Sequence, residues 1–296
     1  TVIYFDDDSE SALAEYLAGV VKDISGYDLP ATRGKGRGIN LRIEEDLQKS
    51  VGDEGYKIGV KPGEIVISAP TRNGLFYGIQ TLLQMIPVKE ENCPGVSSEV
   101  IRIPCAERTD LPRFKWRGLL LDVSRHFFTT DEVKRMIDQM TRYKFNVLQL
   151  HLTDDQGWRI EIKSLPRLTS TGAWRVPRTG LWWDRECPQE GEAPTYGGYY
   201  THEQIKELVE YAAFRNVNIL PEIEAPGHSL AAIASYPYLS STGIQYKVNP
   251  GCRFYTIEDN SICAGKESSY EYMDKVLTEV AQLFPFEYIH IGGDEC

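Results

Sequence analysis

From Phe114 onward the chain repeats one pattern, an apolar run of strand length followed by a capped amphipathic helix, and this alternation restricts it to a parallel α/β sheet. The runs are 115–122, 146–152, 217–222 and 288–292. They are apolar on both sides of the pleat, as strands covered on both faces must be. Between them, helices are predicted to open on capping boxes, Thr129 with Glu132, Thr201 with Gln204 and Ser268 with Glu271, and the first carries Val133, Met136, Ile137 and Met140 on one face. Polar residues gather just after each run, at the end where parallel sheets place their ligands. The connections 153–200 and 224–267 are long, and loops of that length in a compact domain generally carry function.

Residues 1–108 follow a different pattern and are expected to form a small α+β domain, with 109–296 as the second domain. A helix capped by Asp8 or Ser9 is predicted to bury Leu13, Leu17, Val20 and Ile24 and to stop at Gly26. Ile39, Leu41 and Ile43 alternate with polar neighbours, as do Tyr56, Ile58 and Val60, then Ile65 and Ile67, the period of strands covered on one face. A second helix runs from about Asn73 to Pro87, and the Pro-, Gly- and Ser-bearing stretch 90–112, with one strand near Val100, is the expected boundary.

A net charge of -11 with no basic stretch argues against nucleic acid and other polyanions. No apolar run approaches the ~18 residues of a membrane span. The first Met is Met85, so the start is read as a processed boundary from which targeting information has been removed. Six cysteines, at 93, 105, 187, 252, 263 and 296, show no zinc-ligand spacing. Cys252 and Cys263 flank a polar loop that a disulfide could pin, free thiols being the alternative.

Chemistry-bearing residues stand after every run. Arg125 can clamp vicinal hydroxyls with its parallel donors, or pair with Asp122 at the strand end. Asp154 and Asp155 can hold hydroxyls or a cation, or cap a turn. His228 follows Pro226 and Gly227, which can fix its orientation, although a lone loop histidine can be incidental. Asp294 and Glu295 are adjacent acids, and Gly292 and Gly293 before them leave room for a ligand ring to reach both. Carboxylate, histidine and arginine at one rim suggest hydrolysis with proton transfer and hydroxyl recognition, and no phosphate-cradling glycine loop accompanies them. A metal-dependent hydrolase using Asp154, Asp155, His228 and Asp294 is a further reading, without HExxH-type spacing to support it. His151 and His290 fall inside strands and are assigned structural roles. Trp158, Trp174, Trp182 and Trp183 share one long loop and can stack on sugars or anchor the loop.

The segments SRHF (124–127), HLTDDQGWR (151–159), PEIEAPGH (221–228) and HIGGDE (290–295), in this order, resemble glycoside hydrolase family 20, the β-N-acetylhexosaminidases, and 56–87 resembles the small domain that precedes the barrel in that family. The resemblance implies a (β/α)8 TIM barrel preceded by an α+β domain, of which about the first four βα units fall within this chain. It implies an exo-acting retaining hydrolase that removes terminal β-linked N-acetylglucosamine or N-acetylgalactosamine without a cofactor or metal, the substrate's 2-acetamido oxygen acting as nucleophile. On the matched positions Glu295 is the general acid/base, its pKa expected to be raised by Asp294; Asp294 holds the acetamido group; Arg125 binds sugar hydroxyls; Asp154 and His228 form a relay to Glu295. The implied partners are N-acetylhexosamine-terminated glycans, in a secreted, periplasmic, cell-surface or lysosome-like compartment. No segment matches the family's later barrel elements, so the chain is expected to be truncated and inactive alone. The alternative is a catalytically incompetent carbohydrate-binding or interaction module.

Overall fold

The computed structural model describes residues 1–87, 100–181, 184–252, 255 and 259–295. Two compact units are present: Thr1–Arg117 with Thr141–Lys144, and Gly118–Met140 with Phe145–Cys296. Trp182, Trp183, Cys93 and Cys296 lie outside the described residues.

The first unit contains β1 (Ile3–Phe5), α1 (Asp8–Ser25), β2 (Ala31–Arg33), β3 (Ile39–Ile43), α2 (Gln48–Val51), β4 (Tyr56–Lys61), β5 (Glu64–Ala69), α3 (Arg72–Gln84) and β6 (Ala106–Asp110). Its strands form one mixed sheet in the order β2-β1-β3-β5-β4-β6. Alternation in β4 buries Tyr56, Ile58 and Val60 and turns Lys57 and Lys61 outward, as a sheet covered on one face requires. Helices α1 and α3 supply apolar side chains to that core, including Leu13, Leu17, Phe76 and Ile79.

Two local expectations differ from the structure. The cap of α1 is Asp7, in a capping box with Glu10, and not Asp8 or Ser9; the buried stripe runs Leu13, Leu17, Val21 at i+4 spacing, which leaves Ile24 exposed at the last turn. The strand expected near Val100 forms at Ala106–Asp110, where it pairs antiparallel with β4, while Val100 lies in a bend. The strands β1 and β2 are three residues each, too little of a period to be read from the sequence.

The second unit contains β7 (Gly118–Asp122), α4 (Thr130–Arg142), β8 (Val147–His151), β9 (Thr153–Asp154), β10 (Gly157–Trp158), α5 (Arg167–Ser170), β11 (Trp174–Arg175), β12 (Tyr196–Gly197), α6 (His202–Phe214), β13 (Asn218–Glu222), α7 (Leu230–Ser235) and α8 (Glu267–Leu283). Strands β7, β8 and β13 form a parallel sheet with β8 central. The fourth apolar run is represented by a single parallel bridge, Glu222 to His290, and not by a full strand. A continuous core joins Val133, Ile137 and Met140 of α4 to Leu148 and Leu150 of β8, Ile205 and Leu208 of α6, and Val276 and Val280 of α8.

The boxes at Thr129–Glu132 and Thr201–Gln204 are present. The one at Ser268 is absent: α8 begins at Glu267 after Lys266, and the neighbouring Ser269 turns inward to donate to the Cys263 carbonyl. Cys252 bonds to Cys187 across a Cα–Cα distance of 5.2 Å, which overturns the Cys252–Cys263 pairing and leaves Cys263 free. Trp158 is a packing anchor, its ring against Tyr272 and its Nε1 donating to the Ile160 carbonyl.

Candidate active site

Register creates the site. Parallel pairing sets Asp122 opposite His151 and His151 opposite Glu222, and the bridge sets Glu222 opposite His290. Residues in register on a parallel sheet point to the same face, so a row of polar side chains crosses the sheet at its C-terminal end. The His151 ring reaches Glu222 at 3.1 Å, and His290 reaches the same carboxylate at 3.2 Å.

The loops above that row bring in the other groups. After β7, Asp122 Oδ1 accepts from the amides of Ser124 and Arg125, curling the chain so that Arg125 points back across the strand ends. After β8, β9 and β10 pair antiparallel through a two-residue turn, Asp155-Gln156, which fixes Asp154 in a buried position with only 1% of its surface exposed. After β13, His228 adopts a left-handed backbone, φ 49°, in a loop held by hydrogen bonds from Ile262 N to Pro226 O and from Ser229 N to Asn260 O.

Asp154 is the hub. Its Oδ2 faces Arg125 Nη2 at 2.7 Å and His151 Nε2 at 2.7 Å. Its Oδ1 accepts from Asp155 N at 2.6 Å and faces His228 Nδ1 at 3.3 Å. Burial pushes its carboxyl up, but the histidines and Arg125 outweigh that and hold it down at about 2. The hydrogen bond to Asp154 in turn raises His228 to about 9 against the opposing effect of burial. The other edge of the His228 ring meets the acids: Nε2 is 3.3 Å from Glu295 Oε2 and 3.7 Å from Asp294 Oδ2. All five candidate residues, Arg125, Asp154, His228, Asp294 and Glu295, therefore meet at one rim.

Arg125 is engaged within this rim by Asp122, Asp154 and Gln156, so the strand-end ion pair and the rim placement are both realised. The glycines before the acids differ in purpose. A Cβ on Gly292 would land on the buried Glu224 carboxylate, 2.7 Å from Oε1 and closer to Oε2, whereas one on Gly293 meets nothing nearer than Ala225 O at 4.0 Å. Only Gly293 leaves open space for a ligand.

The network also takes in His151, Glu222 and Glu224, and Asp155, which the sequence offered only as a holder of hydroxyls or a cation or as a turn cap. His151, assigned a structural role from its place in a strand, contacts Asp154, Glu222 and Glu224. Burial opposes its charge, but Asp154 and Glu222 raise it to about 10. Glu222 and Glu224 lie two apart on one side of the chain, a period-two signal readable in PEIE. Burial and Glu222 raise the Glu224 carboxyl, while Glu222, held by His151 and Gln149, stays ionised. Asp155, raised to about 6 by burial and by Asp154, accepts from Leu230 N at the start of α7.

Two trios, His151–Glu222–Glu224 and Asp154–Asp155–His228, each gather three donor atoms within 4.8 Å of one another. Their donors are engaged mainly with each other and with Arg125, an ion-pair network rather than a ligand set held open for a cation. Chemically the rim offers an exposed carboxyl on a histidine backed by a buried anion, the layout of a proton-transfer relay.

Residues 114–296 match the catalytic domain of glycosyl hydrolase family 20, and residues 1–110 match domain 2 of the same family. A β-hexosaminidase of Porphyromonas gingivalis is 37% identical over 100% of this chain and 36% of its own length. One of Vibrio furnissii is 41% identical over 82% of this chain and 38% of its own. Among solved structures, the Streptomyces plicatus N-acetyl-β-hexosaminidase in complex with Thio-NAglucal superposes with a TM-score of 0.84 at 40% identity, covering 100% of this chain and 55% of that one. The Bacteroides fragilis β-N-acetylhexosaminidase gives 0.76 at 31% identity, covering 99% and 52%. This chain thus spans about half of those structures and little more than a third of the two curated relatives. Its fold class is α/β, a small α+β unit and part of a (β/α)8 barrel. The chain belongs to glycosyl hydrolase family 20.

Proposed function

We propose that this chain carries the acid/base half of an exo-acting retaining β-N-acetylhexosaminidase, one that removes terminal β-linked N-acetylglucosamine or N-acetylgalactosamine from glycans. The observation that carries the reading is the continuous line from Glu295 through His228 to Asp154, with separations of 3.3 Å and 3.3 Å. Glu295 protonates the leaving oxygen and then, as the base, activates water. Its exposure supports contact with a substrate. Asp294 beside it takes the acetamido N–H and offsets positive charge while the acetamido oxygen attacks the anomeric carbon, so that no protein nucleophile is needed. Arg125 lies at the same rim to receive sugar hydroxyls. His228, charged at neutral pH, supplies and recovers the proton of Glu295 while Asp154 keeps the ring oriented.

The Cys187–Cys252 bond suits an oxidising compartment, which supports a secreted, periplasmic, cell-surface or lysosome-like location. The test is Glu295→Gln in the enzyme. Turnover should fall by ~10² to 10⁴ on substrates with poor leaving groups and far less on aryl glycosides with good ones. Equal losses on both would remove the acid assignment, and a glycosyl ester trapped on a protein carboxylate would remove the substrate-assisted mechanism.

A further inference from the structure

The line of proton-bearing groups continues inward past Asp154. His151 sits on the central strand with 7% of its side chain exposed, and both of its ring nitrogens face carboxylate oxygens: Nε2 to Asp154 at 2.7 Å, Nδ1 to Glu222 at 3.1 Å and to Glu224 at 3.7 Å. A neutral imidazole carries one N–H and can serve only one side. With an acid on each side, and little water to substitute for either, the ring satisfies both only as a two-proton cation. Glu222 is fixed in turn by Gln149, which donates to Oε2 at 2.7 Å, and by His290 at 3.2 Å from Oε1.

We propose that His151 is a permanent imidazolium that locks Asp154 as an anion, so that a proton leaving His228 cannot pass inward and goes to the acids of the rim, of which Glu295 at 3.3 Å is nearer than Asp294 at 3.7 Å or Asp155 at 3.9 Å. It is a positioning residue, and only its effect on turnover rests on the function proposed above. Asp154 has two faces. The Oδ2 face is covered by two cations, His151 and Arg125, which make protonation there unfavourable; the Oδ1 face holds His228. A proton leaving His228 therefore cannot settle on Asp154. Without the His151 charge, Asp154 would keep Arg125 and Glu222 would keep the His290 ring, but Glu224 would lose the cation that faces it, and the cluster would bind a proton. Once Asp154 shares that proton, His228 loses the hydrogen bond that contributes most to its own charge. Losing a like-charged neighbour acts the other way on His228, but through a longer path that includes Asp154 itself.

The test uses the five histidines as reporters, with the side chains labelled with ¹⁵N. In the unmodified protein, His151 should show both nitrogens protonated throughout pH 5 to 8, a measurement that needs no variant and no turnover. In His151→Gln, the His228 midpoint should fall by about one unit or more. In the enzyme, the same variant should lose about 10- to 100-fold in kcat on poor leaving groups and stay within about 3-fold on activated aryl substrates, because delivery of the proton is what it impairs. A His151 ring that turns neutral below pH 8, an unmoved His228 midpoint, or equal kcat losses on both substrate classes would each overturn the proposal. If the wild-type enzyme turns over no β-N-acetylhexosaminide, the functional reading fails while the spectroscopic result still decides the protonation of His151.

Discussion

Gly292 and Gly293 offer a matched pair for measuring what holds Asp294 and Glu295 in place. Both have left-handed backbones, φ 68° and 91°, so alanine at either carries the same conformational penalty of ~1 kcal/mol. Only at Gly292 does the added methyl meet a buried group, the Glu224 carboxylate, which is 3% exposed and backed by His151 and Glu222. To restore contact distance the carboxylate must retreat by more than an ångström from its partners, and disrupting a buried charge cluster costs ~3 kcal/mol. Gly292→Ala should therefore destabilise by ~4 kcal/mol in total and Gly293→Ala by ~1 kcal/mol. Urea unfolding of the enzyme, with hydrogen exchange at the Ala225 and Ile223 amides, measures the difference. Activity should follow the same order for substrates with poor leaving groups. If the two variants agree within ~0.5 kcal/mol, the packing of Glu224 under the strand end is not a constraint and the reasoning fails.

Asp154 is held at about 2, below its unfolded value, so its contribution of ~2 kcal/mol is present above pH ~4 and lost as the pH falls toward 2; Asp154→Asn should flatten that limb of the stability curve, measured by urea unfolding. His151 is raised to about 10, so its contribution is complete below pH ~6.5 and lost as pH climbs through 10, and thermal unfolding of His151→Gln should show a shallower alkaline decline than wild type. The Cys187–Cys252 bond closes a segment with a sequence separation of 65, for which chain entropy gives at most ~4 kcal/mol, so Cys187→Ser with Cys252→Ser should lower the melting temperature and make it insensitive to reductant. Because the rim's acids are engaged by histidines and Arg125, EDTA should leave turnover unchanged; a loss restored by a divalent ion would reinstate the metal-dependent reading.

What was legible in the sequence was what depends on near neighbours. Thr129 with Glu132 and Thr201 with Gln204 announce helix starts because both partners lie within one turn. The placement of Arg125, Asp154, His228 and the two acids at one rim followed from each standing after an apolar run. The role of His151 was hidden because it depends on register: only the pairing of β8 with β13 reveals that Glu222 lies beside it. The Cys187 partner of Cys252 was hidden for the same reason, being remote in sequence and near only in the folded loops. Gly292 was read as clearance for a ligand because nothing local tells that a side chain from the preceding strand's loop fills the space.

The segment bearing Asp294 and Glu295 joins the described sheet through one bridge at His290, supported by backbone bonds of His290 with Pro221 and Ile223 and of Ile291 with Ala225. Strands β7, β8 and β13, by contrast, pair along their full five-residue lengths. Ile223 N donates to His290 O and Ala225 N to Ile291 O, and these two donors flank Glu224, whose carboxylate faces His151 at 3.7 Å. The backbone that carries the acids is thus tied to the backbone that carries the inner carboxylates. One short stretch, 221–225, sets both the seat of Glu224 beside His151 and the path of the strand end that leads to Glu295, so a change in its course is transmitted to both sides of the rim at once.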